Sequence, residues 1–95
     1  MAAYLIGNYN VTDLDGYREY QQSSAPILDG GGKLVVLDKG SEKKEGDAGH
    51  MTVVIEYPTK EAALAAYESE SYQSVVGLRL NATDNGRLVI VDGFD

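Results

Sequence analysis

A strand that passes directly into a helix, between residues 50 and 73, constrains this chain more than any other feature. Met51–Tyr57 alternates apolar and mixed positions, which indicates a β-strand. Pro58 and Thr59 follow at once, and Thr59 is placed to cap an alanine-rich helix over residues 62–68. A strand that feeds a helix so closely is typical of one half of a β-α-β unit.

The first part of the chain repeats this pattern. Ala3–Val11 indicates a strand, and Thr12 or Asp13 can cap a helix that carries Tyr17 and Tyr20 on one face. The chain therefore contains two candidate β-α units.

The segments between and after these units predict two further strands. Pro26 must end, kink or restart the first helix near Ala25, and the glycines at 30–32 provide a sharp reversal. Residues 34–37 predict a continuous apolar strand, whereas residues 39–49 indicate a solvated loop or an irregular hairpin connection. A second helical turn is expected from Ser71 onward.

Asp84, Asn85 and Gly86 predict a turn before a last strand over residues 87–92. The resulting order, β-α-β-β-α-β, is that of the ferredoxin-like α+β fold, with a four-stranded antiparallel sheet and two helices on one face. The length of 95 residues favours one domain spanning residues 1–95.

This fold leaves one face of the sheet bare. The strands at 34–37 and 88–91 are apolar at consecutive positions, so the bare face would expose hydrophobic surface to water. An identical subunit is the simplest cover, and we expect a homodimer that packs sheet against sheet.

Composition excludes several function classes. A net charge of −7 repels nucleic acid and anionic membrane surfaces, and no apolar run is long enough to span a membrane. The chain has no cysteine, which excludes thiolate catalysis and cysteine-ligated metals. We predict no metal site and no cofactor. The N-terminal residues lack a basic leader, so a cytoplasmic location is expected.

Two segments resemble one family closely. Residues 53–63, VVIEYPTKEAA, and 67–73, YESESYQ, are similar to the signature of the domain-of-unknown-function family 1330. The closing residues 86–93, GRLVIVDG, fit as well. The resemblance implies the dimeric α/β-barrel superfamily, whose subunits pair through their sheets. It implies no activity, because the family is uncharacterised.

Two residues are candidates for proton transfer. His50 is the only histidine, a residue type whose ordinary pKa lies near neutrality, and it could act as a general base or acid. Its alternative role is that of a solvated residue at a strand start. Glu56 lies in an apolar strand and could be a buried base, or alternatively a carboxylate at the edge or dimer rim.

Four residues are candidates for substrate binding. Arg79 could grip a substrate carboxylate or pair with a structural one. Tyr20 and Tyr72 could line a pocket for an aromatic molecule, although helix packing on the sheet explains the same spacing. Asn8 could hydrogen-bond a ligand or serve a turn or edge role.

Two functional hypotheses follow. In the first, the protein is a cofactor-independent small-molecule enzyme or ligand-binding dimer, in which Arg79 positions a carboxylated or aromatic compound and His50 or Glu56 moves a proton. In the second, it is a non-catalytic structural or interaction homodimer. The second hypothesis predicts no saturable ligand.

Overall fold

The computed structural model describes residues 1–94. The elements are β1 (Ala3–Val11), α1 (Leu14–Ser23), a 3-10 helix (Ala25–Leu28), β2 (Lys33–Asp38), β3 (Met51–Tyr57), α2 (Lys60–Glu68), α3 (Glu70–Gln73), α4 (Val76–Ala82) and β4 (Thr83–Asp92). The sheet has the strand order β2-β3-β1-β4, and every pairing is antiparallel. The predicted ferredoxin-like fold is confirmed.

Side-chain caps begin the first two α-helices. The Asp13 carboxylate accepts the N–H of Gly16, and the Thr59 hydroxyl accepts the N–H of Ala62. These bonds satisfy backbone donors that the first helical turn leaves unpaired. Pro26 lies in the first turn of the 3-10 helix, where a missing N–H does no harm, so the predicted break after α1 is confirmed.

The predicted turn at Asp84, Asn85 and Gly86 is wrong, because all three residues belong to β4. Asn85 does have a positive φ of 52°. The register with β1 shifts at this point, and this positive φ makes a β-bulge instead of a turn. Pairing with β1 continues on both sides of the bulge and keeps the chain in the sheet.

The second helical region is divided into α2, α3 and α4, where two helical pieces were expected. Ser69 ends α2 in an extended conformation, and its hydroxyl caps α3 by accepting the N–H of Tyr72. Helix α4 then begins at Val76 and runs to Ala82, further than the sequence indicated. These changes of direction bring both Tyr72 and Arg79 to the sheet.

The two faces of the sheet differ in burial. The helix side carries the core, in which Leu5, Ile55 and Tyr57 are almost fully buried. On the other side, which we call the open face, a row of four aliphatic residues crosses all four strands in register. The row consists of Val36, Val54, Ile6 and Val89.

Gly49 is held against β1 in a position that only glycine can occupy. Its N–H donates to Asn8 Oδ1 at 2.6 Å, and a Cβ atom on Gly49 would overlap the backbone of Tyr9. We therefore expect Gly49→Ala to lower the free energy of unfolding by about 1–3 kcal/mol. Urea unfolding measures this change.

Gly77 supplies the matched control for this substitution. It lies within α4, and a Cβ atom there would meet nothing within 4 Å. Gly77→Ala should therefore raise the free energy of unfolding by about 0.5–1 kcal/mol. An equal effect of the two substitutions would contradict the proposed overlap at Gly49.

Candidate functional site

An apolar cleft of about 370 Å³ lies on the helix side of the sheet, between α1, the 3-10 helix and β2. Its lining includes Tyr17, Tyr20, Leu28, Leu34, Leu37 and Val53. Gln21 and Ser24 add polar groups to a wall that is otherwise mainly apolar. A small pocket of this composition suits a compact aromatic or aliphatic molecule.

Local backbone geometry places the two walls of the cleft. Gly30 and Gly31 have φ angles of 77° and 91°, which turn the chain sharply from the 3-10 helix into β2. Strand β2 is an edge strand that pairs only with β3. Leu34 and Leu37 of this strand remain 46% and 43% exposed beside the cleft.

Paired tyrosines form the inner part of the site. The hydroxyls of Tyr9 and Tyr17 are 2.7 Å apart, and those of Tyr20 and Tyr72 are also 2.7 Å apart. The rings of Tyr17 and Tyr20 are in contact, with centroids 5.7 Å apart. All four side chains are buried, and each buried hydroxyl has a hydrogen-bond partner.

Arg79 lies behind these tyrosines and is only 5% exposed. Its guanidinium carbon is 5.6 Å from the centroid of the Tyr9 ring, within the range of a cation–π interaction. The Nε atom is buried and has no hydrogen-bond partner within residues 1–94. No carboxylate in that part of the chain forms an ion pair with Arg79.

Burial and the neighbouring tyrosines shift the pKa of Arg79 in opposite directions. Burial alone would lower the pKa of Arg79, but the nearby Tyr72 and Tyr20 raise it above the ordinary value, so the guanidinium is charged. Burial and the hydroxyl pairs raise the pKa of both Tyr9 and Tyr20. At neutral pH the site therefore holds a cation beside the neutral phenols of Tyr9 and Tyr20.

A small void of about 20 Å³ lies beside Arg79, deeper than the cleft. The void and the cleft share five lining residues, which form a common wall. These residues are Tyr9, Tyr20, Ile27, Val53 and Ile55. Arg79 and Tyr72 line only the void, so the wall separates the buried charge from the larger cleft.

The structure brings together three of the predicted binding residues. Arg79, Tyr20 and Tyr72 line the same void, although they come from α4, α1 and α3. The alternative role of Arg79, pairing with a structural carboxylate, is not seen in residues 1–94. The face of the Tyr9 ring lies near its guanidinium instead, and Tyr20 and Tyr72 line the same void.

The other three predicted residues lie elsewhere. Glu56 is on the open face and accepts the Tyr4 hydroxyl at 3.2 Å. Asn8, also on the open face, donates to the Gly49 carbonyl and accepts its N–H. His50 precedes β3, and its Nε2 accepts the N–H of Val11 at 3.4 Å. The proposed proton-transfer residues are therefore not on the cleft.

Tyr9, Leu34 and Leu37 also line the site and were not among the residues predicted from the sequence. Tyr9 follows Leu5 at even spacing on the buried face of β1, a signal that could have placed it beside the helices. Leu34 and Leu37 differ by three positions and share a side only because the register of β2 shifts between Leu34 and Val36. No local pattern predicts that shift.

The described part of the chain has no cluster of three or more histidine or acidic side chains that could hold a metal. It also has no helix that is long and apolar enough to cross a membrane.

Comparisons place the chain among known folds. The family model described as domain of unknown function (DUF1330) matches residues 2–94. A protein of unknown function from Rhodopseudomonas palustris is 17% identical, with a TM-score of 0.78 over 99% of this chain and 83% of that one. No curated protein matches the chain.

Two other solved structures share the architecture. One is a dimeric protein of unknown function with a ferredoxin-like fold from Bacteroides fragilis, which is 8% identical, with a TM-score of 0.64 over 97% of this chain and 96% of that one. The other is SnoaB, a cofactor-independent oxygenase from Streptomyces nogalater, which is 6% identical, with a TM-score of 0.69 over 99% of this chain and 94% of that one. At these identities the likeness establishes the fold alone.

Proposed function

The chain belongs to the DUF1330 family, and we propose that it binds a small aromatic or otherwise apolar carboxylate, with Arg79 as the partner of the anionic group. The apolar body of the ligand occupies the cleft between α1 and β2. Its carboxylate lies beside the guanidinium and Tyr72, and Tyr20 lines the cleft that holds its apolar body.

One observation carries this proposal, namely that Arg79 is buried and charged, with an unpartnered Nε and no ion-pairing carboxylate in residues 1–94. Removing a cation from water has a large free-energy cost unless an anion and hydrogen bonds compensate it. A ligand carboxylate would supply both, because guanidinium and carboxylate groups match in geometry.

The acidity of the protein makes this local cation more selective. The chain carries a net charge of −7, so its surface as a whole repels anions. A purely ionic ligand would gain little from such a protein. An anion with an apolar body gains from the cleft walls as well as from Arg79.

Binding is better supported than catalysis. SnoaB shares this fold and is a cofactor-independent oxygenase. This likeness is the reason to consider an enzyme, in which His50 or Glu56 would move a proton. Glu56, however, is on the opposite face of the sheet from Arg79 and cannot contact a ligand in the cleft of the same protomer. A ligand-binding protein is the simpler proposal.

We also propose that the open face pairs with the same face of a second copy. The aliphatic row across it includes Val36 and Val89, which are 39% and 52% exposed. Sheet-to-sheet packing would bury this row between two copies. The dimeric state of the Bacteroides fragilis neighbour is consistent with that arrangement.

Calorimetric titration with 2-naphthoate at pH 7 tests the binding proposal, and 2-naphthamide serves as a neutral ligand of the same shape. We expect one saturable site per chain for 2-naphthoate. The amide should bind with an affinity at least roughly 10-fold lower, because only the acid pairs with a buried cation. Equal affinities would contradict the role of Arg79. The absence of saturation with both compounds would favour the non-catalytic structural homodimer.

A further inference from the structure

The wall between the cleft and the void raises the question of how a ligand reaches Arg79. The cleft has a volume of about 370 Å³, whereas the void beside Arg79 has only about 20 Å³. A carboxylate group cannot enter so small a space without movement of a wall residue. The proposed ligand therefore requires one of the five shared residues to move.

Four of the five wall residues are held firmly. Val53 and Ile55 lie on β3, which pairs with strands on both sides. Tyr9 lies on β1, is 2% exposed, and has its ring against Arg79 and its hydroxyl against Tyr17. Ile27 is buried, and its carbonyl accepts the Tyr57 hydroxyl.

Tyr20 is the exception in this wall. It lies on α1, close to the end of that helix at Ser23. Its exposed fraction is 8%, compared with 2% for Tyr9, the other tyrosine of the wall. The hydroxyl of Tyr20 pairs with the hydroxyl of Tyr72 at 2.7 Å, and its ring contacts the Tyr72 ring edge-on. A change of the Tyr20 rotamer would break this hydrogen bond and the ring contacts with Tyr17 and Tyr72. It would also remove a ring that lines both the void and the cleft.

We propose that Tyr20 is a gate, held closed by its hydroxyl bond to Tyr72, which an anionic ligand must open to reach Arg79. This inference rests on the proposed function, since it describes entry to the same site. The closed state reduces the apparent affinity by the fraction of molecules that are open. It also shields the buried charge when no ligand is present.

The gate predicts that removing the Tyr20 hydroxyl speeds ligand association. In Tyr20→Phe the closed state loses its hydrogen bond and leaves the Tyr72 hydroxyl unpaired, so the open state becomes more populated. We expect the association rate of 2-naphthoate to rise roughly 2- to 10-fold. Tyr72→Phe removes the same bond from the other side and should act in the same direction.

Stopped-flow fluorescence of 2-naphthoate measures the rate, and the protein has no tryptophan to interfere. The matched control is Tyr4→Phe, which removes a hydroxyl that donates to Glu56 on the open face and should leave the rate unchanged. The neutral 2-naphthamide, which does not need Arg79, should bind Tyr20→Phe and the unmodified protein at equal rates.

The outcomes separate the gate from the binding site itself. If 2-naphthoate saturates the unmodified protein more tightly than the amide, but Tyr20→Phe leaves its association rate unchanged, the gate is wrong and the proposed function stands. If 2-naphthoate does not saturate the unmodified protein, both proposals are wrong. An equal acceleration of acid and amide would also contradict the gate, because it would reflect a general loosening of the cleft.

Discussion

Replacing Arg79 with methionine is expected to weaken 2-naphthoate binding roughly 10- to 150-fold, which corresponds to the loss of a charged hydrogen-bonded contact. The same substitution should leave the free energy of unfolding unchanged or raise it by up to about 1 kcal/mol. The guanidinium is buried, its Nε lacks a partner and no carboxylate pairs with it within residues 1–94, so an apolar side chain of similar volume removes a buried charge that no anion neutralises.

A binding role for Arg79 predicts that the substitution lowers the affinity for 2-naphthoate without lowering the free energy of unfolding. If Arg79 were purely structural, its removal would lower the free energy of unfolding, because its contact with the Tyr9 ring and its buried packing would be lost. Calorimetric titration and urea unfolding of the same preparation measure both quantities. A large fall in stability together with unchanged affinity would contradict the binding role.

Arg18→Met is the matched control for this experiment. Arg18 lies on α1, its side chain is 63% exposed, and its contact with Asp15 is a surface ion pair at 3.7 Å. Such pairs contribute little to stability. We therefore expect Arg18→Met to change neither the affinity for 2-naphthoate nor the free energy of unfolding measurably.

Val54→Lys is expected to convert the proposed dimer into a monomer, with a rise of roughly three orders of magnitude in the dimer dissociation constant. Val54 is at the centre of the aliphatic row, in register with Ile6 on one side and Val36 on the other. In a sheet-to-sheet dimer, a lysine at this position would bury an ammonium group without a partner, at a cost of several kcal/mol.

Native mass spectrometry and sedimentation velocity measure the oligomeric state, and circular dichroism checks that the variant is folded. Leu80→Lys is the control, because Leu80 is 59% exposed and lies on α4, on the helix side of the sheet. It should leave the dimer intact. A monomeric unmodified protein, or a dimer that survives Val54→Lys, would show that the open face is not the interface.

The order of strands and helices could be predicted because local rules specify it. Thr59 caps α2, Pro26 breaks the first helical region, and Gly30 turns the chain, each through backbone chemistry confined to a few residues. Alternation along Met51–Tyr57 likewise indicates which side chains share a face. These features need no knowledge of distant parts of the chain.

Asn85 shows the limit of such local rules. Its positive φ of 52° was foreseeable from residue type, but the same conformation suits a turn or a bulge. Pairing of β4 with β1 on both sides of Asn85 selects the bulge. The choice depends on hydrogen bonds to a strand more than 70 positions earlier in the chain.

The grouping of residues around Arg79 depends even more on contacts between distant segments. The sequence indicated Arg79, Tyr20 and Tyr72 as binding residues by type, whereas Tyr9 was not foreseen beside them. Their meeting depends on the breaks between α2, α3 and α4 and on the packing of α1 against α4. Composition and periodicity thus determine the fold class and the bare apolar face, since both follow from near-neighbour chemistry. The buried, unpaired charge is decided by tertiary packing, because only contacts between distant segments determine whether an arginine meets a carboxylate, a tyrosine or an empty space.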